Sequence, residues 1–211
     1  MKFIDLFAGL GGFHQALESL GHECVFASEL NSDLADLYNR NFGVKPHGDI
    51  RQAIEEVPSH DILCAGFPCQ PFSKAGEQKG FDCPQWGDLF DYMIMILERH
   101  EPSYLIIENV PNIMRHDNGN TWHKVKKRLR GVGYDIDSAL LSPHMFGVPQ
   151  LRERAIIVGA RQGLGHFAWP EPTHDASEVD IRSILDKSPN DAKPLPPSFI
   201  GYLDAWQALL D

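Results

Sequence analysis

An open α/β fold is predicted: a mostly parallel sheet of seven strands, one of them antiparallel, with helices on both faces. Two observations predict it. Strand-like and helix-like segments alternate from the first residues, and the notable polar residues fall just past the ends of the strand-like ones. In open sheets of this class, ligands sit outside the carboxyl ends of the strands. Phe3–Phe7 reads as a short apolar strand, followed by a glycine turn at 9–12. Phe13–Leu20 reads as a helix, because Phe13, Ala16, Leu17 and Leu20 share one face. Glu23–Ser28 is the second strand, and Asn31 caps a helix that runs to about Arg40. A short third strand ends at Asp49, Asp61–Ala65 is the fourth and Ser103–Glu108 the fifth. Asp88–Arg99 is a strongly apolar helix before the fifth strand, and Asn120–Arg130 is a helix after it. Tyr134–Leu141 and Ala155–Ala160 form the last hairpin.

The chain has 211 residues, which is one domain plus an appendage at about 150 residues per domain. Its 43% apolar and 23% charged composition supplies one sizeable core and excludes disorder of the whole chain. No apolar run approaches the ~20 residues of a membrane span. The N-terminal apolar stretch is broken by Asp5 and lacks the layout of a signal peptide. Four cysteines without a CxxC pair point to free thiols in a reducing, cytoplasmic setting, and no metal site is expected. The net charge of −10 disfavours nonspecific binding to nucleic acid, so any polyanion-binding role must be local or shared with another chain. A domain over 1–168 is expected, then a linker or extended surface segment over 169–198, where six prolines crowd into residues 170–198. Residues 199–211 read as a helix, with Phe199, Leu203, Trp206 and Leu210 spaced 4, 3, 4.

The first turn reads Asp5-Leu6-Phe7-Ala8-Gly9-Leu10-Gly11-Gly12. Gly9, Gly11 and Gly12 let backbone N–H groups approach a ligand at a helix N-terminus. Glu29 ends the second strand, where a carboxylate can accept hydrogen bonds from two ribose hydroxyls. The pattern suits a nucleoside more than a dinucleotide, since the glycine that G-x-G-x-x-G requires at 14 is His14. Asp49, ending the third strand, could take an adenine amino group with Ile50 against the ring; standing alone it is also an ordinary helix cap.

The fourth strand runs into Gly66-Phe67-Pro68-Cys69-Gln70-Pro71-Phe72-Ser73. A cysteine held between prolines past a strand end is rigidly placed and accessible. Residues 74–87 are polar and contain glycine, as expected of a loop that closes over a substrate. The fifth strand ends in Glu108-Asn109-Val110; a carboxylate after four apolar residues should be partly desolvated, which raises its pKa and suits it to proton donation. In an extended Gln150–Arg154 segment, Gln150, Arg152 and Arg154 point to one side, where two guanidiniums suit an anion or a carbonyl oxygen. A solvated edge strand explains that last motif equally well.

These pieces, in this order, resemble the bacterial DNA (cytosine-5)-methyltransferase family over about residues 1–165. The residues that carry the resemblance are DLFAGLGG (5–12), Glu29, Gly48-Asp49-Ile50, GFPCQPFS (66–73), HDNGNT (116–121), Glu108-Asn109-Val110 and Gln150-x-Arg152-x-Arg154. The resemblance implies a Rossmann-like methyltransferase fold, S-adenosylmethionine as cofactor, and double-stranded DNA as substrate in a restriction-modification setting. It implies that a cytosine is flipped from the duplex, that the Cys69 thiolate adds to ring carbon 6, and that Glu108 holds and protonates ring nitrogen 3. Arg154 would contact the base carbonyl, and Arg152 would support the Cys69 region or a phosphate. By the same resemblance Phe7, Leu10, Glu29, Leu30, Asp49, Ile50, Pro68 and Leu89 line the cofactor pocket, while Gln70, Ser73 and Gln150 face DNA.

Three departures stand out. Leu30 stands where a tryptophan often stacks on adenine, and Gln85-Trp86-Gly87 replaces the usual Arg-Gly pair. Nothing in 170–211 matches the family's target-recognition region or its closing Gly-Asn-Ser-Val segment. One half of a split enzyme is therefore expected, with a second polypeptide bringing the recognition domain; the alternative is a truncated inactive remnant or a fragment that only binds cofactor. A nucleotide-binding oxidoreductase would use the glycine turn alone and leave Cys69 and Glu108 without purpose. The basic run Lys124, Lys126, Lys127, Arg128 and Arg130 reads as a solvated helix face, and Cys83 as an oxidation liability.

Overall fold

A computed structural model of the protein describes residues 1–68 and 88–210. Cys69, Gln70, Ser73, Cys83 and Trp86 lie outside the described residues. Six strands form one sheet: β1 (Lys2–Leu6), β2 (Glu23–Ser28), β3 (Ile62–Ala65), β4 (Tyr104–Asn109), β5 (Asp135–Leu141) and β6 (Arg154–Ala160), in the order β2-β1-β3-β4-β6-β5. The first four in that order are mutually parallel. β6 runs antiparallel to both β4 and β5, so it is the one reversed strand.

The expected seventh strand is reduced to a single bridge between Ser28 and His47. The His47 N–H donates to the Ala27 carbonyl, and the His47 carbonyl accepts from the Glu29 N–H. Pro46 before it has no N–H to extend the ladder. Asp49 after it turns the chain into the helix α3 (Ile50–Ala53), accepting from the Arg51 N–H at 3.0 Å.

The central strands are buried on both faces, as parallel strands between helical layers must be. On one face Ile4, Leu6, Leu63, Ala65, Leu105 and Ile107 pack against Phe90, Met93 and Leu97 of α4 (Leu89–His100), and against Val125 and Leu129 of α5 (Asn120–Gly131). On the other, Phe3, Ile62 and Cys64 meet Leu17 of α1 (Gly12–Ser19). Asp5 shares that second face, beneath α1 and α2 (Ser32–Phe42). Tyr38 of α2 donates to its Oδ2 at 3.4 Å and lies 2.6 Å from His14 Nδ1. Burial raises the Asp5 carboxyl to about 7, the Tyr38 hydrogen bond opposing the rise.

Residues 171–210 are exposed apart from Val179, and within the Pro-rich segment Ile181–Ile184 forms one 3-10 turn. The last helix, α6 (Pro197–Leu210), forms as its spacing predicts, yet Phe199, Leu203, Trp206 and Leu210 all stay exposed. Among the described residues no helix is long and apolar enough to cross a membrane, and no group of three or more metal-ligating side chains occurs.

Candidate active site at the carboxyl ends of the strands

A cavity of about 570 Å³, the size of a small-molecule site, opens at the carboxyl edge of the sheet. Its wall runs from Phe7 after β1, through Glu29 and Leu30 after β2, to Asp49, Ile50 and Arg51 at the start of α3. It continues through Gly66, Phe67 and Pro68 after β3 and Leu89 of α4, and closes with Glu108 of β4, Arg152 and Arg154. The expected site residues Phe7, Glu29, Leu30, Asp49, Ile50, Pro68, Leu89, Glu108, Arg152 and Arg154 thus share one cavity.

At the first strand end, Phe7 adopts a left-handed conformation, φ 59°. That region is costly for a bulky side chain, and the surroundings must hold it there. Ser28 does so, its Oγ accepting from the Phe7 N–H at 3.4 Å and its carbonyl accepting from the Ala8 N–H at 2.9 Å. The turn aims the Phe7 ring into the cavity instead of continuing β1.

The glycine turn acts one step back from the wall. Gly9 donates its N–H to Glu29 Oε2 and Asn31 donates to Glu29 Oε1, both at 2.8 Å. These two bonds fix the carboxylate, and each oxygen keeps a lone pair for a ligand. The Gly11 N–H is taken by the Ala8 carbonyl at 2.8 Å. Gly11, at φ 82°, is a packing glycine: a Cβ there would meet Phe42 Cε2 at 2.2 Å. Gly9, Leu10, Gly11 and Gly12 are not among the residues lining the cavity, and Leu10 points outward at 65% exposure. Their contribution is to shape the turn that presents Phe7 and Glu29.

At the opposite end, Arg154 Nε lies 2.7 Å from Glu108 Oε1, with the two side chains 21% and 30% exposed. Glu108 is therefore a partly desolvated carboxylate that also carries an ion pair. Its Oε2 lies beside Gly66, where a Cβ would approach to 3.5 Å. Asn109, next along β4, is 1% exposed; its Nδ2 donates to the Phe67 carbonyl at 3.1 Å and its Oδ1 accepts from the Val110 N–H at 2.9 Å. It ties the end of β4 to the segment that leads through Pro68 toward Cys69. Buried Ser142 does similar work for the last motif, its Oγ accepting from the Arg152 N–H at 3.0 Å. Gln150 is exposed on the loop before Arg152 and is not among the lining residues.

Arg51, Gly66, Asn109 and Ser142 carry no role in the sequence reading. Asn109 had a signal, a polar residue directly after a strand-terminal carboxylate. Ser142 and Arg51 had none, because the partners that tie them across the fold, Arg152 and Asp88, lie 10 and 37 residues away.

Fold and site together define a Rossmann-like domain of the methyltransferase class. The structure of S. pombe Dnmt2 methyltransferase superposes with a TM-score of 0.73 at 23% identity, over 97% of this chain and 67% of that one. The profile of the C-5 cytosine-specific DNA methylase family matches residues 1–198. Type II methyltransferase M.HhaI of Haemophilus parahaemolyticus is 46% identical over 175 residues, 82% of this chain and 53% of that protein. Type II methyltransferase M.MspI of Moraxella sp is 43% identical over 186 residues, 88% of this chain and 44% of that protein. The chain belongs to the C-5 cytosine-specific DNA methylase family. It spans about half the length of the curated relatives it matches.

Proposed function

We propose that this chain supplies the cofactor-binding and catalytic part of an enzyme that methylates carbon 5 of cytosine in double-stranded DNA. One observation carries the reading: a single cavity joins a nucleoside-type end, Glu29 and Asp49, to a base-type end, Glu108 and Arg154. The walls suit S-adenosylmethionine. The Glu29 carboxylate is held by two backbone N–H groups with lone pairs left for ribose hydroxyls. Ile50, Leu89 and Phe7 offer apolar surface to a purine and its thioether chain. When bound, this cofactor supplies an electrophilic methyl group.

The chain's own residues do the rest. The Cys69 thiolate adds to carbon 6 of a flipped cytosine, forming a C–S bond and moving the ring electrons toward nitrogen 3. Glu108, steadied by Arg154 on Oε1, meets nitrogen 3 with Oε2 and shares a proton there. Arg154 also faces the base carbonyl and offsets charge that builds on it. The enamine so formed makes carbon 5 nucleophilic, and that carbon would displace the methyl group from the cofactor's sulfur, leaving the thioether S-adenosylhomocysteine. Loss of the carbon-5 proton to a base and expulsion of the Cys69 sulfur then restore the aromatic ring. Arg152, Gln150, Gln70 and Ser73 face the DNA. The reaction needs Cys69 as a free thiol, consistent with a reducing cytoplasm.

Target recognition is proposed to come from the part of each relative's length that has no counterpart in this chain, and a second polypeptide is one carrier of it. Labelled S-adenosylmethionine and unmethylated genomic DNA test the reading, with the chain alone and mixed with the product of a neighbouring reading frame. Transfer is expected in the mixture, abolished by Cys69→Ala and reduced roughly 10²–10³-fold by Glu108→Ala. Cofactor binding without transfer in any mixture would favour the inactive-remnant alternative.

A further inference from the structure

Arg51 lines the cavity next to Asp49 and Ile50, and its planar guanidinium joins two carboxylates. Nε and Nη2 donate to Asp88 Oδ2 and Oδ1 at 2.9 and 2.7 Å, a bidentate pair. Nη1 donates to Asp49 Oδ2 at 3.1 Å, and the Arg51 backbone N–H donates to Asp49 Oδ1 at 3.0 Å. The side chains of Arg51, Asp49 and Asp88 are 24%, 23% and 45% exposed, so solvent screens the cluster only in part.

The two acids belong to different parts of the chain. Asp49 caps α3, and Asp88 precedes α4, whose first residue, Leu89, is buried and lines the same cavity. Among the described residues no strand pairing links these two corners, which pack through Ile50, Ala53, Leu89 and Phe90 in one apolar cluster. Arg51 links them and occupies both oxygens of Asp49. The hydrogen bonds from Arg51 hold the Asp88 carboxyl below the ordinary carboxylate range, so the clamp is ionic at neutral pH.

We propose that Arg51 is a positioning residue that sets the nucleobase selectivity of the cofactor site. It fixes the Asp49 carboxylate so that the remaining lone pairs meet a donor at the ligand's base, and it draws Leu89 against the same end. This rests on the reading of Asp49 and Ile50 as the adenine end. An exocyclic amine donates to a fixed carboxylate. A ring carbonyl in its place opposes lone pair to lone pair and is rejected. A loose carboxylate turns aside and rejects nothing.

Calorimetric titration of the whole chain with S-adenosylhomocysteine and with its hypoxanthine counterpart, S-inosylhomocysteine, tests this. The wild type is expected to prefer the adenine compound tenfold or more. Arg51→Ala is expected to weaken it about tenfold and to bring the preference close to one. Asp88→Ala in the Arg51→Ala background is expected to add nothing further, since both act through one clamp. Should Arg51→Ala fail to fold, Arg51→Lys carries the same test, because it keeps the charge and loses the fork. A variant that binds both compounds more weakly by one common factor, with the preference kept, overturns the selectivity role. Unchanged binding overturns the proposal outright. A wild type that binds neither compound overturns the reading of the cavity itself, and the proposal with it.

Discussion

Asn109 shows how much one buried amide decides at this site. It donates to the Phe67 carbonyl with Nδ2 and accepts from Val110 with Oδ1, so both ends of the amide are used. Asn109→Asp keeps the acceptor and replaces the donor with an oxygen facing a carbonyl. At a site this buried the cost is roughly 1–3 kcal/mol, and it falls on the segment leading to Cys69 and not on Glu29. The expected result is a kcat lowered about ten- to hundredfold with the S-adenosylmethionine Kd nearly unchanged, read from steady-state kinetics beside a binding titration. Equal losses in both would relocate the effect to the cofactor end. Among single residues, a place at a strand end is legible in the sequence and the partner across the site is not. Glu29 and Glu108 stand where their strand ends imply. That Arg154 pairs with Glu108 could not be read, because 46 positions separate them and the antiparallel β6 alone brings them together. The ion pair adds to the partial desolvation that the apolar strand suggests.

At the scale of elements, the glycine turn separates packing from presentation. Gly11 and Gly9 both have positive φ, 82° and 55°. A methyl group at Gly11 would overlap the Phe42 ring of α2, whereas one at Gly9 meets nothing nearer than the Phe7 carbonyl oxygen at 4.0 Å. Gly11→Ala is therefore expected to cost roughly 2–4 kcal/mol through overlap and backbone strain together. Gly9→Ala should cost roughly 1–2 kcal/mol from strain alone. Urea unfolding of the two variants reads the difference directly, and a larger loss at Gly9 would contradict the packing. The sequence could announce the turn but not this division, because Phe42 reaches it from another helix. The missing strand has a local reason: Pro46 withholds a ladder donor and Asp49 starts α3 two residues after the bridge at His47. The helix α6 has the opposite character. Its pattern forms locally and needs no partner to be legible, yet its apolar side chains stay exposed, so spacing located the helix without locating what its face packs on.

For the whole molecule, the net charge of −10 argues against a polyanion held by overall charge; Arg152 and Arg154 both line the cavity, the second of them paired with Glu108. Charge also acts inside the fold. Asp5 is fully buried between β1 and the α1–α2 layer, and its Oδ1 has no partner among the described residues. Burial raises its pKa to about 7 against 3.8 for the free side chain. Between those values the folded protein holds a proton that the unfolded chain has released. By linkage, stability then falls as pH rises across that window, and the contribution is fully present below the unfolded value. The histidines oppose this. Desolvation lowers the pKa of His14 and of His60, so each resists protonation in the fold and costs stability as pH falls below about 6.5. The raw pH profile mixes the two signs, and a difference isolates the acid. Asp5→Asn carries no titratable proton, so its stability relative to the wild type should increase from pH 4.5 to about 7 and level off above that. The absolute offset depends on how the new amide is accommodated; the slope does not. Thermal melts of both proteins at matched pH measure it, and parallel profiles would mean that Asp5 is ionised in the folded protein throughout.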